Sequence, residues 1–149
     1  MAFFKGKEIH SVDSKGRVNL PAKMRKIVSP DANDNFTVIR GLDKCIEVYP
    51  ADIWKIKEAR FEELDQYEPE SRFFLRKLLM WSEEVDLDGQ QRIILPKKLM
   101  EYAEIENKVV IIGVGDHIEI WNPDVFDKYI DGSGESFEAI AAKVMSKSK

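Results

Sequence analysis

The chain has 149 residues, 44% of them hydrophobic and 34% charged, and its formal net charge is −4. This length and apolar content predict a globular protein with one core or two very small ones, and they exclude a disordered chain. The longest apolar run, 109–114, is too short to span a bilayer, and the N-terminus lacks the apolar stretch of a secretory signal. The single cysteine, Cys45, fits a reducing compartment, so we expect a cytoplasmic protein.

The charge is distributed unevenly along the chain. Residues 1–30 contain seven Lys or Arg side chains and two acidic ones, a net charge of +5, whereas the rest of the chain carries −9. Nucleic-acid binding depends on cations that neutralise phosphates, and a basic segment on an acidic body can bind a polyanion through one end. We therefore expect the functional site within the first 30 residues.

The first elements are predicted to be a strand, a polar turn and a second strand. Residues 6–12 have an extended pattern, and a turn follows at Asp13-Ser-Lys-Gly-Arg17. Val18 and Leu20 then alternate with polar residues, which predicts a short strand with one buried face.

A helix and a hairpin are predicted next. Pro21 is expected at the first position of a helix over 22–28, because its fixed φ and missing N–H suit that position. Strands at 36–40 and 46–49 then form a hairpin that turns at Gly41.

Two helices are predicted after this hairpin. The first covers 51–67, with apolar residues at helical spacing: Ile53, Ile56, Leu64 and Tyr67. The second begins at Pro69 and continues through Trp81, and its apolar residues are too many for a single buried stripe. We expect part of this second helix to face a neighbouring subunit.

The chain then repeats itself. Five residues of the first copy recur 75 positions later: Asp13, Arg17, Leu20, Pro21 and Lys23 correspond to Asp88, Arg92, Leu95, Pro96 and Lys98. Farther along the offset is 72, because the connection 29–35 of the first copy has three extra residues. The second copy therefore predicts the same elements: a strand at 82–87, a strand containing Ile93 and Leu95, a helix over 97–103 begun by Pro96, and a hairpin of 109–112 with 118–121 turned by Gly113 and Gly115.

The C-terminal segment is predicted to be helical. A helix covers 123–130 and a flexible linker follows at 131–135. The last apolar residues have the spacing of a short amphipathic helix: Phe137, Ile140, Ala141 and Val144. The tail at 146–149 is expected to fray.

The repeated Asp-x-x-x-Arg motif has a structural interpretation. A carboxylate can accept hydrogen bonds from the N–H groups of a turn and can pair with a guanidinium four residues later. Both copies contain the pair, as Asp13 with Arg17 and as Asp88 with Arg92. Exposed ion pairs add little net stability, so the expected contribution of each pair is the shape of its loop.

Differences between the copies indicate which one has a specialised function. The first copy has Lys15, Gly16, Arg25 and Lys26 where the second has Gln90, Gln91, Met100 and Glu101. A flexible basic turn followed by a short basic helix can reach into a DNA groove and contact the phosphates on either side. A solvated charged face is the alternative interpretation. The concentration of charge in one copy favours DNA binding, by Lys15, Gly16, Arg17, Lys23, Arg25 and Lys26.

The paired motifs, each leading into Leu-Pro, resemble those of the bacterial MraZ transcriptional regulators over residues 3–130. The resemblance implies an α+β fold with two AbrB-like swapped-hairpin β units in tandem, which form a pseudo-twofold barrel. The expected segments are 3–50 for the DNA-reading repeat, 51–81 for a helical connection, 82–122 for a structural repeat, and 123–149 for C-terminal helices and tail.

The resemblance also implies a function. Members of this family form homo-oligomeric rings, expected here as an octamer or dodecamer, and bind short direct repeats of double-stranded DNA in their own promoter. They usually repress the division and cell-wall operon. The DNA-contacting arginine of the family corresponds to Arg17, with Lys15 in the same loop, whereas Arg92 lies in an uncharged turn. Such a protein is cytoplasmic and nucleoid-associated, and no cofactor, metal or membrane is expected.

Three other classes of protein are alternatives to a DNA-binding regulator. An enzyme would depend on Cys45, His10 and His117, but Cys45 and His117 occupy equivalent positions of the two hairpins and are not expected to form a catalytic pair. An AbrB-type antitoxin would use its C-terminal part to bind a partner, where this chain has a second complete unit. An oligomeric scaffold that binds proteins through the helical pair, and never binds DNA, is not excluded by the sequence.

Overall fold

A computed structural model of the chain describes residues 1–147. The strands within these residues are β1 Lys7–Ser11, β2 Arg17–Asn19, β3 Asn35–Arg40, β4 Ile46–Pro50, β5 Glu83–Asp86, β6 Arg92–Ile94, β7 Lys108–Val114 and β8 His117–Trp121. The helices are α1 Ala22–Arg25, α2 Ala51–Glu62, α3 Pro69–Leu79, α4 Lys97–Tyr102, α5 Pro123–Asp131 and α6 Phe137–Lys147, with a 3-10 turn at Pro30–Ala32. The fold is therefore mixed α+β, as predicted.

The two repeats exchange their first strands. β1 of the first repeat pairs antiparallel with β7 of the second, and β5 of the second repeat pairs antiparallel with β3 of the first. The short strands β2 and β6 pair with each other in a separate two-stranded sheet. Each repeat therefore completes the sheet of the other.

The larger sheet has the strand order β1-β7-β8-β4-β3-β5. At its centre, β4 lies beside β8, and Glu47 is opposite Glu119, its equivalent in the second repeat. The two repeats are thus arranged about this pair with approximate twofold symmetry. The closed barrel that the resemblance implies is not confirmed, because the sheet is open at β1 and β5 while β2 and β6 pair only with each other among residues 1–147.

The main core joins both repeats. Val18, Leu20, Ile93 and Leu95 are almost completely buried in it, as their alternation predicts. Burial of a side chain of this size contributes about 1.5–3 kcal/mol, so residues of both repeats stabilise the exchanged arrangement. A smaller cluster under α5 lies on the opposite face of β7 and contains Cys45, Val110, Trp121 and Phe126.

The prolines of the repeats precede their helices and do not occupy the first helical position. Pro21 and Pro96 cap α1 and α4 with ψ angles of 137° and 138°. Both residues continue the extended path of the preceding strand, which the fixed φ of proline also suits. The predicted extent of α1 is also wrong, because the helix ends at Arg25.

Gly113 is predicted in the turn of the second hairpin, but it lies inside β7. A Cβ atom at this position would collide with the backbone of Phe4 and Lys5, which crosses the strand there. The turn is formed farther along the chain, where Gly115 has φ +75°. Gly113 therefore permits a close backbone approach, and Gly115 permits the turn.

Helix α2 ends at Glu62, before the predicted end at Tyr67. The Asp65 carboxylate accepts a hydrogen bond from the Tyr67 backbone N–H at 2.9 Å, which favours a turn over continued helix. Helices α2 and α3 pack through aromatic rings, with Phe61 contacting Phe74 at a centroid distance of 6.0 Å. Leu78 is the buried residue of α3, whereas Phe73 is 65% exposed.

The C-terminal segment forms α5 and α6 near their predicted positions. No side chain of α6 is fully buried. Ser146 and Lys147 belong to this helix and not to a frayed tail, while Ser148 and Lys149 lie outside the described residues. Within residues 1–147, no helix has the length and apolarity needed to cross a membrane.

Candidate nucleic-acid interface

The first loop, Asp13–Arg17, is closed by the Asp13 carboxylate. Its Oδ1 atom accepts hydrogen bonds from the backbone N–H groups of Lys15 and Arg17, each at 2.9 Å, and its Oδ2 atom accepts one from Arg17 Nε at 2.7 Å. The bond from the Arg17 backbone is the main reason why the pKa of Asp13 is lowered. Among residues 1–147 the Arg17 side chain donates only through Nε, so its terminal amino groups can donate to an external acceptor such as phosphate.

The second loop, Asp88–Arg92, has the same construction. Asp88 Oδ1 accepts from the backbone N–H groups of Gln90 at 2.8 Å and Arg92 at 2.9 Å, and Oδ2 accepts from Arg92 Nε at 3.0 Å. The backbone N–H of Arg92 is again the main cause of a lowered pKa at Asp88. The two loops therefore have equivalent hydrogen bonds around their aspartates.

The two loops are neighbours because β2 and β6 pair over only three residues. A strand rises about 3.3 Å per residue, so the ends of this ladder are about 7 Å apart. Asn19 Nδ2 donates to the Gln90 carbonyl at 2.9 Å. Arg92 Nη1 lies 3.8 Å from Asp13 Oδ2, which ties the second loop to the first. The Arg92 side chain is 21% exposed and the Arg17 side chain is 34% exposed.

Gly16 and Gln91 occupy equivalent positions with φ +83° and +65°. A Cβ atom at Gly16 would lie 3.0 Å from the Leu95 carbonyl and 3.4 Å from Met100 Sδ, and Gly16 is buried. Glycine therefore fits the first loop closely and does not make it more open than the second. Gln91 is exposed, and its left-handed backbone costs about 1–2 kcal/mol relative to the ordinary helical region. Comparison of the two repeats assigned no role to Gln91. Its alignment with Gly16 was nevertheless a signal that its backbone has a positive φ.

The predicted cations of the first repeat, which are close in sequence, lie in two different regions of the surface. The surface depression beside Arg25 and Lys26 is lined by Gln91 of the second loop. Lys15 and Gly16 instead line a cavity of about 970 Å³ together with Lys97 of α4. The first loop and α1 therefore do not form one continuous basic arm, since each lies beside an element of the other repeat.

The predicted cations differ in how freely they can move. Lys15, Lys23 and Lys26 are exposed. Arg25 is half-buried, and its Nε donates to the Leu20 carbonyl at 2.9 Å, which fixes the stem of this side chain. The exposed lysines suit contacts with a mobile phosphate, while Arg25 presents a pre-positioned guanidinium.

Acidic side chains limit the charge around the first loop. Glu101, Glu104 and Glu106 line the same cavity as Lys15. Glu101 lies 3.9 Å from Lys98, which partly neutralises it. This side of the interface has mixed charge, so a polyanion is favoured at the lysine and arginine tips and repelled farther into the cavity.

A second polar cluster lies at the centre of the sheet, away from the loops. Cys45 Sγ and carboxylate oxygens of Glu47 and Glu119 lie within 4.8 Å of one another, a set that could hold a cation and that the sequence analysis missed. Burial raises the pKa of the Cys45 thiol, and the charges of Glu119 and Glu47 raise it further. A protonated, fully buried thiol is a poor nucleophile, so this cluster does not support the enzyme alternative.

His117 belongs to this cluster. Burial alone would lower the pKa of His117, but its hydrogen bonds to Glu119 at 3.1 Å and Asp116 at 2.8 Å raise it. The Tyr49 ring stacks on the imidazole at a centroid distance of 5.0 Å. These contacts hold His117 in the seam between β4 and β8, which is consistent with a structural role for this side chain.

Comparison with known proteins identifies relatives over nearly the whole chain. The model of the MraZ protein family matches residues 3–77 and again residues 78–147. A protein of Natranaerobius thermophilus named "Transcriptional regulator MraZ" is 44% identical over 142 residues, which cover 95% of this chain and 96% of the relative. Proteins with the same name from Halothermothrix orenii (40% identity, 93% of this chain and 94% of the relative) and Carboxydothermus hydrogenoformans (36%, 95% and 96%) are also similar. These names describe regulators and not enzymes.

Proposed function

The chain belongs to the MraZ family, and we propose that it is a sequence-specific, DNA-binding transcriptional regulator. The observation that carries this proposal is the first loop, where a rigid turn presents Lys15 and Arg17 beside a short two-stranded sheet. The names of the similar proteins support the regulatory role.

The proposed charged contacts to DNA come from the first repeat. Arg17 contacts a base edge or phosphate through its terminal amino groups, and Lys15 contacts phosphate beside it. Gly16 allows the loop its compact shape, because a side chain would meet the Leu95 carbonyl. Lys23, Arg25 and Lys26 of α1 hold a neighbouring part of the backbone. In this proposal Asp13, Asp88 and Arg92 shape the loops.

The proposed assembly is a homo-oligomeric ring that binds short direct repeats in its own promoter. One loop with a few cations binds weakly, since affinity depends on the number of phosphates neutralised. Several identical loops on repeated sites increase the apparent affinity by about 10²–10⁴. The exposed side of α3, which includes Phe73, Phe74 and Leu79 and is continued by Met80 at its C-terminal cap, supports contact between subunits.

The proposal for the regulated genes and the location is supported by the resemblance to the MraZ family. We propose repression of the division and cell-wall operon by a cytoplasmic, nucleoid-associated protein. A protein-binding scaffold remains the competing function, and the exposed face of α3 fits both functions. DNA binding is therefore the property that separates them.

A mobility-shift series tests the proposal. The purified protein is titrated against duplex DNA taken from upstream of its own coding sequence and against a scrambled duplex of equal length and composition, at several salt concentrations. The proposal expects preferential binding to the upstream duplex at all of them, with affinity falling as salt rises. Equal binding to both duplexes would leave only general attraction to polyanions, and binding to neither would favour the scaffold.

A further inference from the structure

The second loop presents two uncharged side chains, Gln90 and Gln91, that have no role in the proposed contacts with phosphate. Gln90 and Gln91 are both exposed, and within residues 1–147 neither side-chain amide has a hydrogen-bond partner. Their backbones are fixed, because the Gln90 N–H donates to Asp88 and the Gln91 N–H donates to the Asp88 carbonyl. The loop is thus a rigid support for two unpaired amides.

The backbone of Gln91 is in a region that disfavours long side chains. Its φ is +65°, and the equivalent residue of the first loop is glycine at +83°, which has no such penalty. Glu104 is the other long side chain with positive φ among the described residues, and its carboxylate pairs with Lys44 at 3.2 Å. Gln91 has strain without such a contact, and strain of this kind is characteristic of functional positions.

The surroundings of Gln91 place it inside the proposed interface. Its side chain shares a surface depression with Arg25 and Lys26. On the other side, Arg92 of the same loop lies 3.8 Å from Asp13 of the first loop. A duplex that contacts the first loop and α1 therefore passes over the second loop as well.

An amide supplies what these cations lack. Lys and Arg contacts to phosphate position a protein on DNA but carry no direct sequence information. The side-chain amide of glutamine has one acceptor and two donor hydrogens, and it matches N6 and N7 of adenine in the major groove. We propose that the second loop contributes to sequence specificity, with Gln91 recognising an adenine edge and Gln90 beside it, while the lysines of the first repeat hold phosphates and Arg17 keeps the contact proposed above. This inference rests on the proposed DNA-binding function.

Selection from a library of random duplexes tests this inference. The full-length protein, Gln91→Gly and Gln90→Ala are each used to enrich bound DNA, with Gln66→Ala as a control at an exposed glutamine outside the loops. Gln91→Gly copies the first loop and removes the backbone strain, so its melting temperature is expected to equal or exceed that of the unchanged protein. A lower melting temperature would mean that Gln91 is structural and would overturn the inference.

The expected result is a change in sequence preference without a change in charge contacts. The unchanged protein and Gln66→Ala enrich a motif containing adenine, and Gln91→Gly loses the adenine preference by roughly 5- to 150-fold at that position. The salt dependence stays the same, because no phosphate contact is removed. If Gln91→Gly enriches the unchanged motif, the inference is wrong and the proposed function stands. If the unchanged protein enriches no motif, both are wrong.

Discussion

The first and second loops have the same internal hydrogen bonds and different outer surfaces. In each, one aspartate accepts two backbone N–H groups and one arginine Nε. The first loop adds Lys15, and the second adds Gln90 and Gln91. The shared residues therefore determine loop shape, and the differing residues determine what each loop can bind. Substitutions at matched positions can break or sharpen this division.

The largest expected effect is the difference between Arg17→Ala and Arg92→Ala. Removing Arg17 takes away the guanidinium that is freer to reach DNA, at a cost in binding of about 1–3 kcal/mol per loop, and specific binding by an oligomer is lost. Removing Arg92 breaks contacts to both Asp88 and Asp13, so it lowers the melting temperature by about 2–4 °C. Mobility shifts and thermal unfolding of the two variants measure these effects. Equal loss of DNA affinity at unchanged oligomer size would contradict the division.

Gly16→Ala is expected to have the next largest effect. The new Cβ atom would lie 3.0 Å from the Leu95 carbonyl on a backbone with φ +83°, which costs about 1–3 kcal/mol of unfolding free energy. Chemical denaturation measures this loss. Gly89→Ala is the control, because a Cβ atom there meets nothing within 4 Å. Equal stabilities for the two variants would mean that the first loop is not as closely packed as the structure indicates.

Lys15→Gln gives the first loop the residue found at position 90. Since one phosphate contact is removed, the slope of log affinity against log salt decreases in magnitude by about 1, and binding weakens similarly on all sequences. Lys128→Gln, an exposed charge on α5, is the matched control and leaves the slope unchanged. Identical slopes for the two variants would remove Lys15 from the interface.

The smallest expected effect concerns the seam where the repeats meet. Because the folded pKa of His117 lies above its ordinary value of 6.5, protonated His117 stabilises the fold below that pH, and this contribution is lost as pH rises through the folded pKa. The melting temperature should fall by about 2 °C or less over that range. His117→Gln should remove this part of the pH dependence, and a pH profile identical to that of the unchanged protein would contradict the assignment.

Local structure could be predicted from the sequence because its causes are local. The strand at Val18 and Leu20 follows from their alternation with polar residues, and the turn at Asp13 follows from its carboxylate. Neither prediction required knowledge of a distant partner. The position of Gly113 inside β7 could not be predicted. A glycine that allows the backbone of Phe4 to approach cannot be distinguished, from the sequence alone, from a glycine in a turn.

Which residues lie together in the candidate site was less predictable, because that depends on contacts between distant parts of the chain. Pairing of β2 with β6 places Arg25 and Lys26 beside Gln91, and Lys15 beside α4. From the sequence, the charged residues of the first repeat were expected to form one surface. In the structure their neighbours are determined by strand pairing between the two repeats. The contact between Arg92 and Asp13 likewise joins residues far apart in the chain.

The central claim is that DNA lies against the first loop, and a crosslinking measurement tests it most directly. A photoreactive group is attached to Ser14→Cys in the first loop and, as a control, to Ala59→Cys on the exposed side of α2. Native Cys45 does not interfere, because it is completely buried. We expect the upstream duplex to crosslink to position 14 and not to position 59. Crosslinking at position 59 alone, or at neither position with DNA bound, would contradict the account.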